Sequence, residues 1–511
     1  MIVRRGPRPG GGDGAVVDTS RRTRRGERSL RERLIVPVLA FAGVLMALMQ
    51  TVVVPLLPDL PAQTGSSPAT VSWMLTATLV TGAVLNPVLG RAGDMYGKRR
   101  VLLGSLATMT VGSALCAVTS DIRVLIAARA LQGTAAVVVS LATSILRDEL
   151  PPHRVGSAAA LMSSTVGLGA AFGLPLASVV VEHADWHTMF WVTTGLGLAG
   201  FAAAWLVVPE SPVRTPGRFD IVGTVLLGAG LVAILLAASK GGEWGWTSPV
   251  VPSLAGGGVL VLLVWGWHQL RTREPVVDLR LAARRTVLLP HIAALLTGMA
   301  FYANWLATAQ LVQAPEITGY GLGESAVVAS LCLLPGGVIM VLLSPLSARL
   351  SDARGARVTL ALGTAVISAA YLFRVFTSEQ LWTITLGASL CSLGTTLAYS
   401  ALPTLIIQAV PQEQTAAATG LNVLMRTIGQ AVSSTIVAVV LTQLTMTAGG
   451  VRFADLDAYL LIFGIACAVA AGASLTALAL PRARPRSAMA VPVAPSGAKL
   501  PAVSGDRGTD A

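Results

Sequence analysis

Fourteen stretches of this chain are too long and too apolar to be ordinary water-soluble helices. They cover about 34–57, 69–90, 101–120, 124–146, 155–181, 188–208, 221–239, 249–270, 286–313, 325–347, 358–377, 381–407, 415–443 and 458–480. Most reach 19 residues, which is what a helix rising 1.5 Å per residue needs to cross about 30 Å of hydrocarbon. Lipid offers nothing to an open N–H or C=O, so each stretch is expected to be helical. Only 12% of the residues are charged, against about 25% in soluble domains. The predicted fold class is an all-α membrane protein with fourteen transmembrane helices. The run 34–57 is too long for a signal-peptide core and no A-x-A site follows it, so it is expected to remain as the first helix.

Basic residues set the expected orientation. Residues 1–33 hold ten Arg, and four basic residues (Arg123, Lys240, Arg374 and Arg452) fall in loops of the opposite side or near its edge. Arg129 and Arg426 lie inside apolar runs, and the other 31 of 37 basic residues share the side of the N-terminal tail. The positive-inside rule then places both termini in the cytoplasm. The net charge of +12 reads as topology and contact with anionic lipid at the cytoplasmic face, not as nucleic-acid binding. Arg374, near the outer end of its run, is expected to snorkel to the interface. The four Cys sit in apolar runs without C-x-x-C spacing or a paired His, so neither a metal site nor a disulfide framework is expected.

One pattern occurs twice. Gly90-Arg91-Ala92-Gly93-Asp94-Met95-Tyr96-Gly97-Lys98-Arg99 and Ser347-Ala348-Arg349-Leu350-Ser351-Asp352-Ala353-Arg354-Gly355-Ala356-Arg357 share R-x-x-D-x-x-G-x-R, 258 residues apart. Each joins two apolar runs, the second to the third and the tenth to the eleventh. A duplicated loop implies two related halves, and an offset of eight runs implies that two are inserted between six-helix bundles. The expected organisation is a disordered basic tail over 1–33, a bundle over 34–208, an insert over 209–285, a second bundle over 286–480 and a disordered tail over 481–511. Gly97 and Gly355 suit a tight turn. Asp94 and Asp352, lone acids among basic neighbours, suit a contact with a neighbouring Arg or helix N-terminus that holds one conformation closed.

These residues resemble the major facilitator superfamily, specifically its fourteen-helix drug:proton antiporter branch, over about 34–480. The first copy looks like that family's motif A. Leu125-Ile126-Ala127-Ala128-Arg129-Ala130-Leu131-Gln132-Gly133 looks like motif B, and Gly420-Leu421-Asn422-Val423-Leu424-Met425-Arg426-Thr427-Ile428-Gly429 is similar to a pattern of the thirteenth helix. The fifth helix departs from the antiporter motif, with Gly169, Gly173 and Pro175 in place of G-P-x-x-G-G. In the first helix, Met49 and Val54 stand where the branch has Asp and Asn.

An intramembrane charge is costly and marks a functional site by default. That singles out Arg129 with Gln132 and Gly133, and Arg426 with Asn422, as coupling or transport residues. Polar or aromatic residues within the spans (Gln50, Asn86, Tyr302, Asn304, Trp305, Gln310 and Tyr399) are cavity candidates. No Asp or Glu lies near the centre of a run; the nearest, Asp59, Glu182, Glu316, Glu324 and Glu379, lie near outer ends, and His291 is near the inner start of its run. Substrates are therefore expected to be neutral, zwitterionic or anionic amphiphiles rather than dications.

The expected activity is secondary transport in a bacterial cytoplasmic membrane, exporting an amphipathic drug or metabolite in exchange for protons. The GC-rich usage, with three Lys among 37 basic residues, fits such a source. A transporter of the same fold without proton coupling, or importing a nutrient, is the alternative; a membrane-embedded enzyme or sensor is remote. No cofactor is expected, no G-x-x-x-x-G-K-[ST] is present, and a monomer is expected to be the working unit.

Overall fold

Capping residues mark where the helices begin. The computed structural model describes residues 14–53, 56, 60–211, 214, 217–246, 248–377, 380–449 and 451–481. Expectations that concern 1–13, Val54, Asp59, Glu379, the tail beyond 481 or the side chain of Glu182 lie outside the described residues. In chain order the helices are α1 (Gly14–Thr51), α2 (Leu60–Thr64), α3 (Pro68–Tyr96), α4 (Lys98–Val118), α5 (Ile122–Gly133), α6 (Val138–Glu149), α7 (Pro152–His183), α8 (Trp186–Val207) and α9 (Ile221–Trp244). They continue as α10 (Val250–Arg271), α11 (Leu279–Ala282), α12 (Arg285–Gln313), α13 (Ala326–Leu342), α14 (Ser344–Arg354), α15 (Ala356–Phe376), α16 (Leu381–Ala409), α17 (Thr415–Gln443) and α18 (Leu456–Leu478). Ser67, Asp121, Asp185, Asp220, Asp278 and Ser325 each accept a backbone N–H of the first turn that follows. Acids absent from helix centres are used at helix starts, where open N–H groups and the dipole favour them.

Among the described residues twelve helices are long and apolar enough to cross a bilayer, or thirteen if the bent pair α13 and α14 counts as one. One of the twelve, Ile122–Glu149, joins α5 and α6 through a 3-10 turn over Thr134–Val137. The α13–α14 axis bends by 46°. Pro345, in the first turn of α14, has no N–H to continue the ladder and its ring crowds the preceding turn.

Three expectations need correcting. The segment assigned to a disordered tail is helical from Gly14 onward; its Arg, Glu and Leu are good helix formers that extend a helix already nucleated in the apolar run. The duplicated pattern is not a pair of loops: α3 runs on to Tyr96 and α14 to Arg354, so Asp94 and Asp352 sit on last helical turns. Only Gly97 (φ 116°) and Gly355 (φ 89°) leave the helix, at angles that a side chain resists. Arg374 does not snorkel. It is fully buried, donates to Asn304 Oδ1 at 2.6 Å and lies 4.1 Å from the Phe463 ring centroid. An amide acceptor and a ring face replace the water it would otherwise seek.

The all-helical expectation also misses a hairpin. β1 (Thr445–Ala448) pairs antiparallel with β2 (Val451–Ala454), with Thr445 opposite Ala454. Gly449 turns it at φ 59°, and Gly-Gly between two short runs containing Thr, Val and Phe is a hairpin signal.

The apolar core divides into clusters. One gathers residues from Ile35 to Val208 together with Ile407 and Ala416; another gathers residues from Ala300 to Ala470. Contacts that join them run from α7 to α13, α14 and α16, and from α17 to α3 and α6. α9 lies on both α3 and α17, whereas α10 packs chiefly on α9.

α12 and α17 approach at Gly298, where an added Cβ would lie 2.5 Å from Arg426 O. Gly298→Leu is expected to cost at least about 1–3 kcal/mol by overpacking, read as a lower thermal midpoint in detergent. Gly257→Leu, at a position with nothing within 4 Å, should leave the midpoint unchanged or raise it.

Candidate functional site

Two regions bring sequence-predicted residues together: a cavity between the halves, and a set of contacts at the end of the helices that carries the duplicated pattern, the motif end.

The cavity is lined by Gln50 and Thr51 of α1, Leu75, Thr78 and Leu79 of α3, Arg129 of α5, Val166 of α7, Phe301, Tyr302 and Trp305 of α12, and Gln430 of α17. No Asp or Glu is among these residues. Its volume is about 90 Å³, less than the roughly 300–1,000 Å³ of a drug-sized pocket.

Arg129 is its one charge, with only 1% of its surface exposed. Its Nη1 donates to Met49 O at 2.8 Å and to Gln132 Oε1 at 2.5 Å, and Nε reaches Met74 O at 3.4 Å. Gln132 Nε2 donates to Ser113 Oγ at 2.9 Å, and that hydroxyl lies 3.3 Å from Met49 Sδ. Where the resemblance puts a carboxylate, this chain turns the Met49 carbonyl toward the guanidinium. Carbonyls and an amide satisfy some of the donors but leave the positive charge uncompensated. Nη2 is buried with no hydrogen-bond partner among the described residues. Gly133 permits this packing, since a Cβ there would lie 2.7 Å from Thr78 O.

Of the cavity candidates, Gln50, Tyr302 and Trp305 do line this space, and four do not. Asn86 donates to Ala136 O at 3.1 Å and accepts from Ser140 Oγ at 2.9 Å, filling a carbonyl that the 3-10 turn leaves open. Asn304 holds Arg374 and donates to Ala388 O at 3.3 Å. Gln310 is on an exposed face. Tyr399 is buried beneath Arg426, whose Cζ is 4.6 Å from its ring centroid, and Asn422 is buried beside that pair on α17. Gly169 and Gly173 bring α7 against α1 at Val44, Ala47 and Thr51, and α7 runs unbroken through Pro175.

At the motif end the first copy crosses from one half to the other. Gly90 lies against α17, where a Cβ would be 2.8 Å from Ala416 O. That approach lets Asp94 Oδ2 accept from Ala417 N at 3.0 Å, in the first turn of α17. Asp94 is 1% exposed, and its Oδ1 lies 3.9 Å from Lys98 Nζ. Lys98 Nζ is 2.5 Å from Asp148 Oδ2. Asp148 also accepts from Ser211 Oγ and, at 3.0 Å, from Gln412 Nε2. Arg147 donates to Thr415 Oγ1 and, at 3.2 Å and 3.4 Å, to the carbonyls of Val410 and Pro411. An acid thus fills the N-terminus of α17, and a guanidinium fills the carbonyls that follow α16. Each charge has the sign the helix end favours.

The second copy is not equivalent. Arg349 and Asp352 are exposed, and Asp352 Oδ1 only approaches α7, 3.6 Å from where a Cβ of Gly156 would be. Arg91, by contrast, is buried. The final Arg of each copy does play a matching part. Arg99 Nη2 donates to Trp205 O at 2.6 Å at the end of α8. Arg357 Nε donates to Ala477 O at 3.3 Å, and its Nη2 to Leu478 O, at the end of α18.

Sequence reading missed Arg147, Asp148 and the burial of His291. Both His291 ring nitrogens are buried without a partner among the described residues, beside a cavity of about 220 Å³ at the motif end that Arg91, Arg273, Glu274 and Asp278 also line. The available signal for Arg147 and Asp148 was their place just beyond an apolar run; what they meet is 264 residues away.

The two acids should differ in variants. Asp94→Ala empties the α17 N-terminus and should lower stability by about 1–3 kcal/mol, the cost of an unfilled buried donor. Asp352→Ala should stay within about 0.5 kcal/mol. Thermal unfolding of the purified chain measures both, and equal losses would remove the distinction.

Comparison with known proteins bears on the family and the fold. The chain is 26% identical over 450 residues to a multidrug resistance protein B homolog of Mycobacterium tuberculosis, covering 85% of this chain and 82% of that one. It is 26% identical over 388 residues to a probable actinorhodin transporter of Streptomyces coelicolor, covering 73% and 66%. The fold resembles that of a human organic anion transporter, with a TM-score of 0.59 and 16% identity over 88% of this chain and 98% of that one. The family model described as Major Facilitator Superfamily matches residues 39–434. The chain is therefore a multi-pass membrane transporter, not an enzyme, and it belongs to the major facilitator superfamily.

Proposed function

We propose that the chain is a secondary exporter of neutral, zwitterionic or anionic amphipathic small molecules, working by alternating access and driven by the proton gradient. The observation that carries this reading is Arg129: one buried cation, with a donor unfilled, in an acid-free and mostly apolar cavity between the halves. A ligand oxygen would satisfy Nη2, while the apolar walls take the rest of the molecule. Export is supported by the names of the relatives. The motif-end contacts then keep the cytoplasmic side shut in this conformation, and their release would open it.

The same proposal includes fourteen spans, counting α7 and the bent pair α13–α14 with the rest. It also includes membership of the drug:proton antiporter branch, two six-helix bundles with α9 and α10 inserted between them, and both termini in the cytoplasm. Reporter fusions after residue 240 should report outside and fusions after 275 inside; the reverse would remove this topology.

A second reading has its own observation. Met49 replaces the branch's acid and no carboxylate lines the cavity, so a transporter without proton coupling is the competitor. Inverted vesicles with an imposed pH gradient separate the two. Antiport predicts accumulation of lipophilic compounds that stops when the gradient is collapsed; uncoupled transport predicts equilibration that ignores it.

Arg129→Ala and Arg129→Lys should both reach the membrane at normal levels and lose at least about tenfold in transport, since Lys keeps the charge but not the planar fork. Full gradient-driven transport by Arg129→Ala would shift the search to Arg426.

A further inference from the structure

The central cavity does not end at the two halves. Leu79, Tyr302 and Gln430 line it and also line a second space of about 60 Å³, whose far wall is Leu235 of the inserted helix α9. Thr76 and Val80 of α3 and Thr427, Ala431 and Ser434 of α17 complete that side pocket. α9 is held there by a stripe at four-residue spacing. Leu227, Leu231 and Leu235 pack with Ala83 of α3 and Leu424 of α17, with Val80, Val84, Ile428 and Ala431 around them. One turn beyond Leu235, Thr435 Oγ1 donates to Ala238 O at 3.1 Å and ties α9 to α17. Leu235 is thus the residue of the stripe that reaches the cavity.

We propose that α9 is a wall of the substrate site, and that Leu235 sets how large an apolar group the site admits. This rests on the central cavity being the substrate site. The ligand class is an amphiphile whose polar end meets Arg129 and whose apolar end enters between α3, α9 and α17. The side pocket is small, about 60 Å³, so the Leu235 side chain decides whether a longer apolar end fits. The insert then determines specificity as well as occupying the seam between α3 and α17.

A series of dansyl n-alkylamides, from two to ten carbons, tests this on the purified full chain in lipid nanodiscs. Binding is read by energy transfer from the protein's Trp residues. For the wild-type chain, Kd should fall about three- to fourfold for each methylene that enters the pocket, then level off. Leu235→Trp should raise Kd at least tenfold for the longest members and leave the shortest within twofold. Leu235→Ala should carry the gain one or two carbons further. Leu231→Trp, in the same stripe but away from the cavity, should keep the wild-type dependence on length. The proposal is overturned if Leu235→Trp weakens every member equally, if Leu231→Trp reproduces its pattern, or if the wild-type chain shows no length-dependent binding. Transport of the same series in proteoliposomes tests the exporter reading separately: length-dependent binding without transport removes that reading and leaves the side pocket standing.

Discussion

A guanidinium enclosed by apolar helices cannot be left without acceptors, and the middle of this molecule is arranged around that constraint. Arg129 recruits carbonyls from α1 and α3, the Gln132 amide and, through it, the Ser113 hydroxyl. These contacts fix the relative height of α1, α3, α4 and α5, and with it the side chains that face the cavity. With Met49 where the resemblance puts an acid, α1 offers the guanidinium a backbone acceptor and no counter-charge. The site therefore keeps its positive potential, which favours a ligand able to offer electron-rich oxygen.

The duplicated pattern shows how one sequence motif takes two physical roles. Gly97 and Gly355 serve the same backbone purpose, and Arg99 and Arg357 cap the last helix of their respective halves. Asp94 and Asp352 differ because of what each faces. Asp94 meets the open N–H of Ala417 across a glycine-narrowed crossing, whereas Asp352 stays in the exposed part of α14 beyond the Pro345 bend. Burial turns the first acid into a fixed contact; exposure leaves the second solvated.

Much of this was legible in the chain itself. Apolar length located the helices but not the polar turns by which α1, α3 and α14 extend beyond their runs, and the costs of burying Arg129 pointed to the cavity. Gln50, Tyr302 and Trp305 could be picked out as polar or aromatic groups on apolar helices, but Asn86 and Asn304 satisfy the same description and spend their amides inside one half. Periodicity does not separate a cavity face from a packing face when the whole surround is apolar. Arg147, Asp148 and Arg374 were misjudged for a related reason. Each looked like a boundary charge, and only the arrival of a distant helix end, amide or ring buries Arg374 and partly covers Arg147 and Asp148. The hairpin after α17 was readable from its Gly-Gly turn and was passed over because the flanking helices dominate that region.

The contact at the motif end also has an electrical consequence. Lys98 of α4 and Asp148 of α6 are ion-paired at 2.5 Å within one half and move together if that seam opens. The two displacements cancel, so a transmembrane voltage, worth about 2.3 kcal/mol per elementary charge per 100 mV, does almost no net work on this pair. Voltage can then act on Arg129 and on whatever charge the cargo or a coupled proton brings.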